Sequence, residues 1–467
     1  MNLRLTLTIA VCKVLIKACR LINQGGTTLP GKIALRLYPG IISKITQGYK
    51  TIMITGTNGK TTTARIIGQI LKENGIDFIS NKSGANLVYG VISTFIEAAD
   101  LKGGNSITTA LIEIDEAAFS SLTKFMEPHM LVVTNFFRDQ LDRYGELYAT
   151  LKGVLSGIER CEKTKLVLNA DDSLCASLGR NENRPTLYYG FSRSAYSGKK
   201  ELINSDALFC VYCKGKYEYS YRIYGHLGGF SCPRCGYGRP QTHITCTHIL
   251  ELNSTYSLIR FSADAGDKSG NPQEYEAKIN LPGLYNIYNA LAAAACGSML
   301  GLPVENTIKA LKSFECGFGR METIVAEGKL IKVILVKNPT GFNQVLSYLL
   351  TEEKNMQLAF LINDNAADGT DISWLWDVEF EKLEDMQDKL DNIYASGLRA
   401  EDMAVRLKYA GVYTDKIHIL KDYNQLINTG LSRTKPGHSF FILPTYTAML
   451  DIRKILKKKF GLKEFWK

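Results

Sequence analysis

Short apolar runs alternate with amphipathic stretches along most of the chain, and that alternation predicts the architecture. The runs 52–54, 107–114, 130–134 and 165–168 read as strands buried on both faces, and the segments of helical period between them read as helices. From 50 to 190 this predicts an α/β fold with a doubly wound, mostly parallel sheet that takes its ligand at the carboxyl ends of the strands. The alternation restarts near 328, with strands expected at 330–336, 357–362, 391–395, 416–420 and 439–443, so a second, smaller, Rossmann-like α/β domain follows. Ahead of both, Leu3–Ile22 is apolar but interrupted by Arg4, Lys13, Lys17 and Arg20. No uninterrupted run reaches the roughly 18 residues a membrane span needs. This stretch therefore reads as an amphipathic helix packed on the core, with a basic helix lying on a membrane surface as the second reading. Gly25-Gly26 and Leu29-Pro30-Gly31 break the pattern, and another short helix is expected over Ile33–Ile45. The expected division is an N-terminal helical segment 1–48, a central domain 49–325 and a C-terminal domain 326–467.

Composition narrows the class. At 467 residues the chain is too long for one ordinary core, and 45% hydrophobic with 22% charged residues is the balance of a folded globular protein. A net charge of +10 suits an acidic substrate or an anionic membrane surface. No Lys/Arg stripe interleaved with aromatics stands out, so nucleic acid is not an expected partner.

Four of the eleven cysteines form two C-x₂-C pairs, Cys210/Cys213 and Cys232/Cys235, with eighteen residues between the pairs. Four thiolates at this spacing close a tetrahedral Zn²⁺ site with no open position, hence a structural zinc ribbon inserted at about 205–240. Redox-active pairs are the alternative, and His226, His243 and His248 find no coordination vacancy. With its flanks, about 195–275, the ribbon reads as an insertion. Tyr212, Tyr217, Tyr219, Tyr221 and Tyr224 are expected to form its small core.

The stretch carrying the chemistry follows the first strand: Gly56-Thr57-Asn58-Gly59-Lys60-Thr61-Thr62 opens an amphipathic helix. Glycines let backbone N–H groups close on an anion at a helix N-terminus; Lys60 supplies a point charge for β/γ-phosphates and the hydroxyl of Thr61 or Thr62 a ligand for Mg²⁺. Glu113, Asp115 and Glu116 end the strand at 107–114, where a carboxylate would sit beside the phosphate crevice. Asp115 and Glu116 are explained by the helix dipole alone.

This P-loop is shorter than the general pattern, and the compact form resembles the Mur ligase family, ATP-dependent enzymes that join an amine to a carboxylate through an acyl phosphate. The resemblance implies a Mg²⁺ ligand at Glu113 and nucleotide contacts at Asn135, Asp171, Asn286, Asn289 and Arg320. These residues stand in Thr134-Asn135, Asn169-Ala170-Asp171-Asp172, Asn286-x-x-Asn289 and Gly319-Arg320-Met321-Glu322. Gln140 occupies a place where the family carries a metal-binding histidine, so a second Mg²⁺ is not expected. Only some fifty residues precede the P-loop, whereas ligases acting on nucleotide-linked precursors carry a whole substrate domain there.

Asn135-Phe136-Phe137-Arg138-Asp139-Gln140-Leu141-Asp142-Arg143-Tyr144-Gly145 and the stretch from Asn363 to Asp377 resemble one branch, the MurT subunits of lipid II isoglutaminyl synthase. That branch implies a cytoplasmic enzyme working on lipid II at the inner face of the membrane. Its separate glutaminase subunit, GatD, supplies ammonia and would dock on the C-terminal domain. An aspartate from this chain completes the partner's glutaminase site: Asp368 first, with Asp371 and Asp377 as alternatives. Trp374 and Trp376 offer interface anchors. A Mur- or folylpolyglutamate-like amino-acid ligase and a zinc-ribbon nucleic-acid-binding NTPase are the competing readings.

Overall fold

The computed structural model describes residues 3–21, 28–81, 85–138, 147–180, 183–196, 206–263, 272–315 and 320–462, the side chains of Arg20, Leu21 and Arg320 excepted. Gln140, the flanking residues 139–146, and Phe318 and Gly319 lie outside the described residues.

The chain opens with helices α1 (Leu3–Leu21), α2 (Leu29–Leu37) and α3 (Ile41–Ile45). Leu5, Ile9, Cys12 and Ile16 recur at helical spacing on the buried side of α1 and join the core under the main sheet. Leu29-Pro30-Gly31 does not break the pattern as expected but starts α2. Proline lacks only a hydrogen bond that the first helical turn never makes, and a Cβ on Gly31 would fall 2.0 Å from the Tyr89 carbonyl oxygen.

The central domain continues through β1 (Lys50–Thr55), α4 (Lys60–Glu73), β2 (Phe78–Ser80), α5 (Val88–Ala98), β3 (Thr109–Glu113), α6 (Glu116–Leu122), β4 (Met130–Val133), α7 (Leu147–Glu159), β5 (Lys165–Asn169), α8 (Ser173–Ser177) and β6 (Thr186–Phe191). A two-stranded hairpin, β7 (Glu218–Tyr224) and β8 (Leu227–Ser231), intervenes before β9 (Ile244–Leu252), β10 (Ser257–Ala263) and β11 (Gln273–Ile279). Helices α9 (Leu284–Met299) and α10 (Val304–Ser313) close the domain.

Nine of these strands form one sheet in the order β11-β10-β9-β6-β5-β4-β1-β3-β2, parallel from β2 to β9 and antiparallel beyond. Ile52 and Ile54 of β1 face the core shared with α4 and α9, and Met53 faces the one shared with α1 and α5, as a pleated strand buried on both faces requires. The inserted element is smaller than the expected 195–275, because β9 to β11 belong to the main sheet. Only the hairpin and its two knuckles stand apart.

The second domain comprises β12 (Arg320–Ala326), β13 (Lys329–Ile334), α11 (Pro339–Leu349), β14 (Met356–Leu361), β15 (Leu390–Ser396), α12 (Ala400–Tyr409), β16 (Ile417–Ile419), α13 (Tyr423–Arg433), β17 (Ser439–Pro444) and α14 (Tyr446–Phe460). Its six strands run β12-β13-β17-β14-β15-β16, parallel except for β12 on β13. The expected boundary at 325 moves back, since β12 starts at Arg320 and pairs with β13 rather than with the central sheet.

Candidate nucleotide and metal sites

In the central sheet the chain leaves β1, builds β2 and β3 on one side, then crosses to β4 on the other, so a crevice opens at the carboxyl end of β1. The loop from Gly56 to Gly59 fills it. Gly56 and Gly59 have φ of 117° and 88°, and a Cβ would meet Thr134 Oγ1 at 2.3 Å and Asn289 Oδ1 at 2.1 Å respectively. Glycine is thus needed twice over, for backbone conformation and for close approach.

Thr134 and Asn135, just past β4, hold this loop from outside. Asn58 N–H donates to Asn135 Oδ1 at 3.0 Å, while the Asn58 carbonyl accepts from Asn135 Nδ2 at 3.1 Å and from the Thr134 hydroxyl at 2.7 Å. The Thr57 hydroxyl donates to the Phe137 carbonyl at 3.1 Å.

The first turn of α4 brings the charged groups together. Lys60 turns its amine onto the Gly56 carbonyl and stands 3.3 Å from Glu116 Oε1, with both side chains 10% exposed. Thr61 donates to Glu113 Oε2 at 2.6 Å. Asn81 fixes the Glu113 backbone, accepting its N–H at 2.9 Å and donating to its carbonyl at 2.7 Å. A hydroxyl and a carboxylate beside a buried ammonium form a hard-oxygen donor set that fits Mg²⁺ next to phosphate. Glu116, explained beforehand by the helix dipole alone, is instead the counter-ion of Lys60. Asp115 caps α6, accepting from Ala117 N–H at 3.1 Å.

Asn286 and Asn289, in the first turns of α9, face the loop. Asn289 donates to Asn286 Oδ1 at 3.1 Å and accepts from Thr63 at 3.3 Å. They line a cleft together with Asn58, Gly59, Thr62, Asn135, Tyr224 and Tyr285. Its other wall is the second domain, through Met321, Thr340, Gly341 and Gln344. Asn338 caps α11, accepting from Gly341 N–H at 2.8 Å, and donates across the cleft to Asn58 Oδ1 at 3.0 Å. Met321 has a left-handed φ of 66° at a bulge where β12 leaves the cleft, and receives the Tyr285 hydroxyl at 3.1 Å on its sulfur. Neither Met321 nor Tyr224 carried a signal in the sequence, because both reach the cleft through tertiary packing.

Asp171 requires a correction. Its carboxylate is fully buried and taken up inside the domain by Arg239 Nε at 2.5 Å, the Tyr288 hydroxyl at 2.7 Å and Phe191 N–H at 2.8 Å. It does not line the cleft. It ties the second knuckle of the ribbon to β6 and α9, and so supports the nucleotide pocket from behind. Arg320 contributes its backbone to β12, and its side chain is outside the described residues.

The four knuckle cysteines converge, with Cys210 and Cys235 sulfurs 3.6 Å apart, Cys213 and Cys232 sulfurs 3.4 Å apart, and all four within 4.8 Å of one another. Tetrahedral zinc bonded to sulfur at ~2.3 Å places sulfurs roughly 3.8 Å apart, so the set fits Zn²⁺. Tyr217 and Phe230 pack beneath the cluster with Tyr219 and Tyr237, as a ribbon core. Tyr224 goes elsewhere: at the hairpin tip it stacks on Phe137, centroids 6.0 Å apart, and reaches the cleft.

In the second domain, Asp368, 3% exposed, accepts from Thr447 N–H at 2.7 Å and from the Thr447 hydroxyl at the start of α14. Asp371 makes a local turn, accepting from Ser373 N–H at 2.8 Å and hydroxyl at 2.9 Å. Asp377 is half-exposed, 3.7 Å from Arg138 Nη1. Next to it Trp376 is exposed and packs on exposed Tyr409 at 5.9 Å, whereas Trp374 is partly buried against Phe342.

A strand-end glycine loop, a hard-oxygen pair beside it and a second α/β domain closing over the loop are the arrangement of an ATP-dependent ligase of the Mur type. Residues 54–227 match the Mur ligase middle domain family and residues 335–449 the MurT ligase C-terminal family. Over 434 residues the chain is 36% identical to the lipid II isoglutaminyl synthase (glutamine-hydrolyzing) subunit MurT of Streptococcus pneumoniae, covering 93% of each. It is 34% identical to the same subunit of Staphylococcus aureus, over 97% of this chain and 98% of that one. Among solved structures a pseudomurein peptide ligase type C from Methanothermus fervidus superposes with a TM-score of 0.64 at 23% identity, over 90% of this chain and 80% of the other, which shows a shared fold. The chain belongs to the MurT family of Mur ligases.

Proposed function

We propose that this protein is the synthetase subunit of a lipid II isoglutaminyl synthase, acting in the cytoplasm in peptidoglycan biosynthesis. The observation that carries the reading is the Thr61–Glu113 pair, 2.6 Å apart in the first turn after the glycine loop and close to Lys60, while the loop itself lines a cleft whose far wall belongs to the MurT-type domain. Lys60 and the glycine loop hold the ATP phosphates, and Asn286 and Asn289 flank the adenine. Thr61 and Glu113 hold Mg²⁺, which when bound neutralises phosphate charge. The family resemblance adds Arg320 as a further contact for the ATP phosphates.

The α-carboxylate of the stem-peptide D-glutamate attacks the γ-phosphorus, and ADP leaves. Ammonia then adds to the acyl phosphate, phosphate departs, and D-isoglutamine results. Turning the oxygen into phosphate makes a good leaving group. Asn338 and Gly341 closing on Asn58 keep water from hydrolysing the intermediate.

Among the described residues nothing pairs a nucleophilic cysteine with a histidine in this cleft, so ammonia comes from the glutaminase partner, GatD. The exposed Trp376–Tyr409 surface is its docking anchor. Exposure favours Asp371 or Asp377 over the buried Asp368 as the aspartate offered to that partner. The four cysteines hold Zn²⁺.

Mass spectrometry of lipid II incubated with the chain, Mg-ATP and ammonium chloride tests the reading. Replacement of one OH by NH₂ with wild type, and none with Lys60→Ala, supports it. ATP turnover that yields no amide, with ammonium or with the glutaminase and glutamine, overturns it.

A further inference from the structure

The outward face of α1 is not polar. Leu3 and Val14 are each 66% exposed, Leu7 58% and Val11 43%, a stripe at helical spacing directly opposite the buried Leu5–Ile9–Cys12–Ile16 side. From Leu3 to Val14 it extends about 17 Å along the helix. Helix α2, whose Leu37 carbonyl accepts from Arg4 at 2.8 Å and whose Pro30 carbonyl accepts from Cys12, packs alongside and adds exposed Leu29 and Leu37. Contiguous exposed apolar side chains of this kind mark an interaction surface.

Charge identifies the occupant. Residues 1–48 carry seven Lys and Arg and no Asp or Glu. Lys17, Lys32 and Arg36 are exposed beside the stripe. Across α1 lies the end of α5, where the Glu97 carbonyl accepts from Lys13 at 3.3 Å and Asp100 is occupied by the N–H groups of Lys102 and Gly104. With both acids counted, this face remains strongly cationic. An apolar stripe rimmed by cations fits a helix lying in the headgroup region of an anionic bilayer. No helix among the described residues is long and apolar enough to cross a membrane.

We propose that α1, with the flank of α2, docks this protein on an anionic lipid surface, Leu3, Leu7, Val11 and Val14 entering the interface while Lys17, Lys32 and Arg36 meet phosphate headgroups. The inference does not rest on the ligase reading, and the vesicles used to test it contain no lipid II. Full-length protein is sedimented with phosphatidylcholine vesicles with and without phosphatidylglycerol, at low and high salt.

Binding is expected only with phosphatidylglycerol and is weakened by salt. Leu7→Asp/Val14→Asp, at exposed positions that leave the core intact, should reduce it by about tenfold or more. Lys17→Gln and Lys32→Gln should each reduce it about fivefold. Amide synthesis on detergent-solubilised lipid II should be unchanged in all of these variants, which separates failure of the docking face from failure of the enzyme. Equal binding to neutral vesicles, no binding, or binding indifferent to the substitutions overturns the proposal. So does a wild-type dimer that Leu7→Asp/Val14→Asp converts to monomer, since the stripe would then be a protein interface.

Discussion

Replacing Arg239 by Met tests whether the four-cysteine ribbon supports the proposed nucleotide pocket. Asp171 is completely buried, and Arg239 is its only cationic partner among the described residues. Removing one member of a buried ion pair costs about 3–5 kcal/mol, because a charge stays behind in a poor solvent. Here the Phe191 N–H and the Tyr288 hydroxyl remain on the carboxylate, at 2.8 and 2.7 Å, and continue to stabilise it. The cost therefore falls at the low end, about 3 kcal/mol. Adding Asp171→Asn removes the stranded charge, so the double variant should be more stable than the sum of the two singles by about 1–2 kcal/mol.

The function readout follows from Tyr288, which sits on α9 between Asn286 and Asn289 and whose partner Asp171 is no longer anchored by Arg239. ATP binding should weaken about tenfold, equivalent to 1.4 kcal/mol. The assay is urea unfolding by far-UV circular dichroism, beside titration with a fluorescent ATP analogue. Trp374 and Trp376 belong to the second domain, and no tryptophan lies in the central one, so tryptophan fluorescence serves as an internal control. Additive single costs, or an Arg239→Met protein with unchanged central-domain stability and ATP affinity, would refute the reasoning.

Gly59→Ala should cost about 1–2 kcal/mol from the left-handed backbone alone. It should also abolish measurable ATP binding, since the new Cβ lands 2.1 Å from Asn289 Oδ1. Thr61→Val keeps the shape of the first turn but removes the hydroxyl beside Glu113. The Mg²⁺ concentration for half-maximal ATP turnover should rise about tenfold or more, with the thermal midpoint nearly unchanged. Stripping zinc with a chelator, or Cys232→Ser, should melt the knuckles and raise the ATP dissociation constant through Tyr224 and Arg239. Restoration of nucleotide affinity by added Zn²⁺ in the chelated wild type, and not in the variant, checks that route.

Much of this was legible because it is local. The strand–loop–helix from Lys50 to Glu73 carries its own instructions: a continuous apolar strand, glycines where the backbone turns left-handed, and Lys60 and Thr61 where the helix dipole begins. The knuckle cysteines are equally local, each pair spanning one tight turn. What escaped depended on long-range packing. Glu116 looks like an ordinary helix-start acid until β1 and β3 lie side by side and bring Lys60 to it. Asp171 sits in a strand-end string that suits a ribose, yet Arg239, far along the chain, folds back and claims it. The residues of β12 were placed in the central domain because Gly319-Arg320-Met321-Glu322 resembles the string that ends it, and the pairing of β12 with β13 joins them to the second sheet.

Among the described residues the two domains meet through Asn338 on Asn58, Tyr285 on the Met321 sulfur at 3.1 Å, Tyr348 on the Ser254 carbonyl at 3.0 Å, and Arg138 near Asp377 at 3.7 Å. Half-exposed ion pairs contribute ~0–1 kcal/mol, and an interface of this kind opens readily. The position of the last pair matters more than its strength. Arg138 lies three residues beyond Asn135, which grips the glycine loop, and Asp377 lies beside Trp376 on the surface proposed for the glutaminase partner. Ordering the 371–377 stretch against a partner would hold Asp377 where Arg138 meets it, and so favour the closed cleft in which Asn338 reaches Asn58. In the proposed reaction ammonia would then arrive on one side of this contact while the acyl phosphate is sheltered on the other, and a weak ion pair, rather than a rigid bridge, would let the cleft reopen for product to leave.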